Sequence, residues 1–448
     1  MLKRYTLAPM QQLWLREETK FEQWLEVELA CLEARVTLGD LKPEALGAIR
    51  THARFTIERI EELEAVYEHD LLAFVGSVHE SLVEAGVGQF KEEFHKGLTS
   101  YDIEDPALIL MLRQATVEIL RSLYGLREVL RRKAKEHQWT LMVARTHGQF
   151  AAPSTFGHLL QVFASAIFRS ARRLELVLAF ELSEGKMSGA VGAYGGMDPR
   201  WEREALQLLG LKPAEAETQI LQRDRHAMLA STLAVAAGSI EQMCRTFWEM
   251  MRREVRELGE PRQPRQRGSS AMPHKNNPRL TERLMGLARI VRACAGAAVE
   301  NIATPEWRDI SQSSAERHIF PTATGLLHYM AIQATYLVED LKVFPDRMCK
   351  HLEETSLGVW AGQPVWVALM EAGVPYDTAY GYVQASAFEA EENGLHLRQV
   401  LCRRLVSASD PRTAEAILGP ERLAQCFDAR AHIERGIRHI FRDQDGRA

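Results

Sequence analysis

Leu108, Leu112, Ala115, Ile119, Leu123, Leu126 and Leu130 recur every three or four positions. That spacing lays one narrow apolar stripe along a helix of about six turns, and a stripe of that length is stable only against partner helices. Four more helical patterns follow, at about 155–182, 225–258, 281–301 and 313–341, and few stretches alternate as strands do. The reading is an all-α chain with a central bundle of five long helices. Ala227 to Ile240 is apolar on nearly every face, so it must be covered on all sides. A single five-helix bundle does not provide that cover, which points to packing against other subunits. The same stretch is too short to span a bilayer and is bounded by charges, so it reads as a core helix.

With 448 residues the chain has room for about three domains. The pattern divides it into an N-terminal helical unit (1–104), the central bundle (105–351) and a C-terminal helical unit (352–448). Turn signals mark the last at Gly362-Gln-Pro364, Gly373-Val-Pro375 and Asp410-Pro411. A net charge of −5 argues against a nucleic-acid partner, and the basic runs at Arg131-Arg132-Lys133 and 262–267 are balanced elsewhere. The six cysteines form no CxxC pair, and Met1-Leu-Lys-Arg-Tyr-Thr lacks the apolar core of a signal peptide. A cytoplasmic protein with no membrane partner is expected.

Residues 268–278, Gly-Ser-Ser-Ala-Met-Pro-His-Lys-Asn-Asn-Pro, carry the most chemistry. Two prolines and a glycine rule out regular structure. Ser269 and Ser270 stand near Lys275, and a fixed cation favours the alkoxide form of a serine. Lys275 is equally suited to clamp a carboxylate. The loop fits proton abstraction beside an anionic substrate; it also fits a plain polar connection between helices.

Other polar segments punctuate the helix ends. His69-Asp70 is one, with an ordinary surface role equally open for His69. Thr99 and Ser100 offer hydroxyls and backbone N–H groups to a carboxylate, while Asp105-Pro106 reads as a helix N-cap with proline at the first turn. His147, between Arg145-Thr146 and Gly148-Gln149, is placed to face a cleft, and histidine is the commonest proton donor in catalysis. The Gly-rich turn 188–196 lacks Walker spacing. Segment 218–226 is mixed polar. In 308–317, Ser313 and Arg317 share a helix face, and with Arg308 they suit a phosphate. HExxH, paired Cys/His spacing and GxSxG are all absent, so a zinc site or an α/β-hydrolase is disfavoured. Residue chemistry alone reaches an oligomeric helical enzyme with anion-binding loops and a Ser/His acid–base pair.

Taken together, Arg4-Tyr5-Thr6, 21–33, His69-Asp70, 97–100, 145–148, 188–192, 221–227, 268–278 and 308–317 resemble the fumarase/aspartase superfamily. Arg4-Tyr5, Leu221-Gln-Arg-Asp-Arg-His-Ala227 and Ser313-Ser-Ala-Glu-Arg317 narrow the resemblance to its adenylosuccinate branch. That branch implies three all-α domains and a homotetramer with a twenty-helix core and active sites shared among three subunits. It implies a small nucleotide substrate, adenylosuccinate or the succinylated carboxamide ribotide SAICAR, from which fumarate leaves without metal or organic cofactor. By position, Ser269 resembles the general base and His147 the general acid, with His69 beside it. Lys275 and Asn277 match the groups that stabilise the charged carboxylate. Thr99, Ser100, Thr146 and Gln219 match those that hold the succinyl carboxylates. Arg4, Tyr5, Arg308, Ser313 and Arg317 match a 5′-phosphate set, and Glu282 matches a carboxylate supporting the loop and His147.

The chain departs from that pattern at Asn276, Trp307, Gln312 and in Thr155-Phe-Gly-His-Leu159, which lacks a lysine common there. These changes fall near the nucleotide side and bear on substrate choice. Another fumarate-releasing lyase, or a carboxymuconate-cycloisomerase-like relative, is the alternative; a substrate without phosphate has no use for the Arg4, Tyr5, Arg308, Ser313 and Arg317 set. A scaffold that has lost catalysis need not keep Ser269, His147 and Lys275.

Overall fold

The computed structural model describes residues 2–262, 264–267 and 269–442, so Gly268 of the polar loop lies outside the described residues. Helices dominate. We label α1 (Glu17–Thr37), α2 (Asp70–Glu84), α3 (Ser100–Glu136), α4 (Phe156–Phe180), α5 (Asp224–Met251), α6 (Arg279–Glu300) and α7 (Ser311–Glu339). Of the strands, the two pairs that matter here are β1 (Leu141–Thr146) with β2 (Gln149–Thr155), and β3 (Leu258–Gly259) with β4 (Lys342–Val343), both antiparallel. The chain forms two compact units. One comprises Met1–Leu126, Ile167–Gln242 and Arg283–Ala334; the other comprises Arg127–Ala166, Met243–Glu282 and Thr335–Ala448.

All five long helices predicted from periodicity are present, and the seam residues Leu112, Ala115, Ile119, Leu123, Leu126 and Leu130 are fully buried. Each buried leucine of this kind contributes about 1.5–3 kcal/mol. The start of α3 corrects the expected cap at Asp105. The helix begins at Ser100, where Thr99 N–H donates to the Asp102 carboxylate (2.9 Å) and Asp102 N–H donates to the Thr99 carbonyl (2.9 Å). This reciprocal cap moves the N-terminus six residues upstream, from Pro106 to Ser100, and leaves Pro106 inside the helix. Proline there costs only the bond to the Asp102 carbonyl.

Asp105 is instead completely buried and belongs to the strongest polar cluster of the first unit. Arg223, also buried, donates to Asp105 (2.9 and 3.0 Å), to Glu316 (2.8 and 3.1 Å) and to the Leu221 carbonyl (2.7 Å). All five guanidinium N–H groups are thereby used. Burial works against the charge of Arg223, but its two carboxylate partners outweigh that effect and raise its pKa further. Nearby, Phe21, Trp24, Phe55, Phe74 and Phe94 build an aromatic core with ring centroids 5.1 to 6.0 Å apart.

Helix α5 is 28 residues, longer than the apolar stretch seen in sequence, and by length and composition it is the one described helix able to cross a membrane. About half of that window (56%) is buried within the chain. Met228 and Val235, two turns apart on one face, stay half exposed, and so do Ile290 and Val299 of α6. The chain by itself does not cover these apolar faces. Helix α5 also stops at Met251 rather than near 258. Arg252 to Val255 contains no breaker, but Arg256 turns left-handed (φ 51°) and Glu257 N–H closes on the Met250 carbonyl (2.9 Å). Tertiary contacts of Glu257, described below, override helix propensity here.

In the second unit, Phe156, Phe163 and Phe247 pack together beside the β1–β2 hairpin. A separate core of Val365, Leu369, Tyr382, Leu397, Val400, Leu401 and Leu423 holds the C-terminal helices. Gly373-Val-Pro375 and Asp410-Pro411 lie between helices as expected, whereas Gly362-Gln-Pro364 opens the helix Gly362–Glu371 rather than a turn.

Candidate active site

In the first unit the predicted binding residues gather around the starts of α2, α3 and α7. His69 is the residue before α2; its Nδ1 lies 3.8 Å from Asp70. The Asp70 carboxylate accepts from Arg317 (2.8 Å) and from Lys20 of α1 (2.8 Å). Burial opposes ionisation of Asp70, but Lys20 and Arg317 prevail and hold its carboxyl well below the usual range. Arg317 and Ser313 border a cavity of about 420 Å³ whose wall also includes Trp14, Lys20, Glu104 and Met111. Burial, reinforced by Asp70, pushes Glu104 up to about 7, with Lys20 and Arg317 pulling the other way.

Arg308 Cζ lies over the Tyr101 ring (4.0 Å to the centroid) and its guanidinium donates to Gln219 Oε1 (3.1 Å), while its buried Nε has no partner among the described residues. Gln219 N–H in turn bonds the Trp307 carbonyl (3.3 Å), and Gln312 donates to the Tyr101 hydroxyl (3.3 Å). Thr99 and Ser100 sit at the capped start of α3. Asp102, which makes that cap, also accepts from the fully buried Lys186 (2.6 Å) and from Gly189 N–H (3.1 Å). It thus ties Thr99 and Ser100 to the Gly-rich turn. Gly192 in that turn has φ 75°, and a Cβ there would lie 1.9 Å from the Glu217 carbonyl, so no side chain fits.

Arg4 and Tyr5 stand apart from this group. Tyr5 packs edge-on against Tyr329 (5.5 Å between centroids), whose hydroxyl accepts from Arg283 (3.1 Å). Tyr329 follows Arg317 by 12 residues of α7, a rise of roughly 18 Å along the axis. Within one chain the expected phosphate set is therefore split into two parts.

The second unit holds the expected acid and base. Thr146 and His147 occupy the exposed tip of the β1–β2 hairpin, an element the sequence reading did not find. Thr146 pairs with Gln149, leaving His147 (φ 54°) and Gly148 (φ 78°) as a two-residue turn. Two positive φ angles define the type I′ turn, whose twist suits a hairpin. Histidine tolerates this left-handed conformation better than most residues, at a cost of about 1–2 kcal/mol. Two residues back, Arg145 pairs across to Phe150, with its guanidinium 5.4 Å from the ring, and donates twice to Glu257 (2.9 and 3.0 Å).

Ser269 opens an irregular loop. Its hydroxyl accepts from Met272 N–H (3.1 Å), and Lys275 N–H bonds the Met272 carbonyl (2.9 Å). The Lys275 side chain is exposed, and among the described residues its ammonium makes no hydrogen bond to Ser269. Asn277 is half-buried just before α6. Glu282, in the first turn of α6, accepts from the Trp248 indole (3.2 Å). Among the described residues no hydrogen bond joins Ser269 or Lys275 to His147.

Sequence reasoning passed over Glu257, Glu260, Lys186 and His351. Buried acids are invisible to periodicity: Glu257 and Glu260 sit where a helix was expected to end, and nothing local marks them as interior. Glu260 accepts from Leu280 N–H (3.0 Å), Thr281 N–H (2.7 Å) and the Thr281 hydroxyl (3.0 Å), and so caps the start of α6.

Comparison with known proteins completes the picture. The family described as "Lyase" matches residues 1–293. Adenylosuccinate lyase of Bacillus subtilis (strain 168) is 41% identical over 434 residues, 97% of each chain. Adenylosuccinate lyase of Thermotoga maritima is 39% identical over 441 residues, 98% of this chain and 99% of that one. The crystal structure of a fumarate lyase from Mesorhizobium sp. BNC1 superposes with a TM-score of 0.87 at 26% identity over all of both chains. That of the 3-carboxy-cis,cis-muconate lactonizing enzyme from Pseudomonas putida gives 0.84 at 26% identity over 98% of each. Near-complete coverage at this identity, together with a helical fold shared end to end, shows that the chain belongs to the adenylosuccinate lyases, within the wider lyase family.

Proposed function

We propose that the protein eliminates fumarate from adenylosuccinate, giving AMP, and from SAICAR, giving AICAR. The observation that carries this reading is the cluster at the start of α7. Arg308 and Arg317 flank Ser313, and Arg317 is braced by Asp70 (2.8 Å), an arrangement suited to a phosphate monoester. It also separates this reading from a carboxymuconate-type substrate, which carries no phosphate.

In the proposed reaction Ser269 removes the proton from the carbon next to a succinyl carboxylate. Electron density moves onto that carboxylate, where Lys275 and Asn277 stabilise it. The C–N bond then breaks, and His147 gives its proton to the departing nitrogen. Thr99, Ser100, Thr146 and Gln219 hold the carboxylates, and His69 stands beside the phosphate and the acid. Glu282 supports the loop. Among the described residues the Ser269 hydroxyl is engaged with Met272 N–H alone, so closure of the loop over substrate must bring a cation to its hydroxyl.

The reading includes a cytoplasmic homotetramer with each site drawn from three subunits, and domain limits at 1–104, 105–351 and 352–448. Two findings support the shared site. Arg4 and Tyr5 sit beside Tyr329, far along α7 from Arg317, and apolar faces of α5 and α6 are left uncovered by their own chain. Copies of the chain packed along those faces would bury them.

The test is to follow fumarate release from adenylosuccinate, SAICAR and argininosuccinate in separate reactions. Release from the first two supports the assignment, and failure on both overturns it.

A further inference from the structure

A catalytic histidine at the tip of an exposed two-residue turn poses a physical problem. Such a tip is normally among the most mobile parts of a protein. A displacement near 1 Å of a reacting group is enough to cost about a hundredfold in rate. Something must hold this hairpin. The backbone ladder alone does not, because an isolated two-stranded hairpin is marginal in water, and the pairing between Val143 and Arg145 is interrupted by an irregularity.

Apolar packing of Val143 with Leu352, Trp360 and Ala361 holds the base of the hairpin, and one buried carboxylate holds the residue next to its tip. Glu257 is completely buried. Its Oε1 and Oε2 receive Arg145 Nη2 (2.9 Å) and Nη1 (3.0 Å) as a fork, and Oε1 also lies 2.7 Å from His351 Nδ1. Arg145 Nη2 also lies 3.3 Å from His351 Nδ1, so the three side chains form one contact set. Arg145 is the last β1 residue before Thr146 and the tip. Two planar bonds to the carboxylate, plus Phe150 beneath, fix its direction.

Glu257 is itself immobilised: its N–H bonds the Met250 carbonyl (2.9 Å), and its carbonyl accepts from Phe344 N–H (3.0 Å), beside the β3–β4 pair. His351 opens a π-helical turn, His351–Thr355, a costly conformation that recurs where a side chain must be aimed.

We propose that Glu257 is the positioning residue of the general acid: acting through Arg145, and steadied by His351, it sets where the turn presents the His147 imidazole. The proposal rests on the functional reading for the identity of the acid. Its structural half, that Glu257 anchors the hairpin, stands on geometry alone.

The test is a kinetic cycle with Glu257→Gln, His147→Gln and the double variant, read as kcat and KM for adenylosuccinate, with hydrogen–deuterium exchange on the same full-length proteins. Glu257→Gln is expected to lower kcat by about ten- to a hundredfold with KM changed less than about threefold. The further loss caused by His147→Gln should then shrink by the same factor that Glu257→Gln already cost. Losses that simply multiply would show that Glu257 does not act through His147, and would overturn the proposal.

Should Glu257→Gln fail to fold, His351→Asn removes one of the three contacts to the carboxylate and is expected to give a smaller kcat loss with the same non-multiplicative pattern. Exchange of the segment 141–155 should accelerate in either variant while 279–300 stays at the wild-type rate, and unchanged exchange at 141–155 also overturns it. Wild-type protein that releases fumarate from neither substrate would defeat the functional reading, while the exchange measurement still decides whether Glu257 holds the hairpin.

Discussion

The hairpin that carries His147 and the loop that carries Ser269 sit in the same compact unit, yet they are held very differently. Behind the hairpin tip lies a buried fork of Arg145 on Glu257, backed by His351. The Ser269 loop is tied internally by short turns, Met272 N–H to Ser269 Oγ and Lys275 N–H to the Met272 carbonyl, and at its far end Glu260 caps α6. The difference fits the roles proposed for each. An acid that only delivers a proton benefits from being fixed in advance. A base that must lose its own proton needs a resting state in which it is not activated and a closed state in which it is.

The largest test of this contrast is removal of the two groups. Ser269→Ala and His147→Gln are each expected to lower kcat by about 10²–10⁴-fold with the fold retained, as checked by fumarate release and circular dichroism. If sites are shared between copies, unfolding and refolding the two variants together should restore up to about a quarter of wild-type activity, since random mixing gives some sites both native groups. Absence of any recovery would place both groups in one chain's site.

A milder change probes the rigid side. Arg145→Lys keeps the charge but loses the planar fork, and should lower kcat by about tenfold with KM nearly unchanged. The flexible side has a matching test in limited trypsin digestion. Arg265, Arg267 and Lys275 are exposed in irregular chain, so cleavage there should precede cleavage after the partly buried Arg145. Cutting first at Arg145 would reverse the comparison.

The smallest effect concerns the loop's anchor. Glu260→Gln should cost about 1–3 kcal/mol in a denaturant titration, because backbone N–H groups at the start of α6 lose a charged acceptor. Burial pushes the Glu260 carboxyl above its usual value of 4.5, against the opposing pull of the Thr281 and Leu280 N–H groups. As pH rises through 4.5 the unfolded chain releases this proton first, so this group's contribution to stability declines until the folded carboxyl has also ionised. Glu260→Gln should remove that slope, and an unchanged slope would refute it.

Much of the active-site inventory was readable in the chain. Ser269, Lys275, His147, Arg308, Ser313 and Arg317 stand out because Gly, Pro, Ser, His and Arg cluster in short segments that no helix periodicity explains. Their supports were not. Asp70, Asp102, Glu257 and Glu260 look in sequence like ordinary surface acids, and Asp105 like a cap. Each is defined by a basic or N–H partner 50 or more residues away or across a loop. The hairpin escaped notice for a related reason: its burial pattern does not alternate cleanly, and His-Gly is an uncommon turn pair.

Sequence alone determined the helical class and the positions of the long helices, because apolar spacing at 3.6 residues is a local property that any water-soluble packing must respect. It also picked out the side chains proposed to bring chemistry, because nucleophile, acid and cation are intrinsic to residue type. Tertiary structure alone decided where helices start and stop, as at Ser100 and Met251, and which carboxylates hold the working groups in place. Those outcomes depend on burying a charge against a distant partner, and the cost of a buried charge is set by its surroundings rather than by its neighbours in the chain.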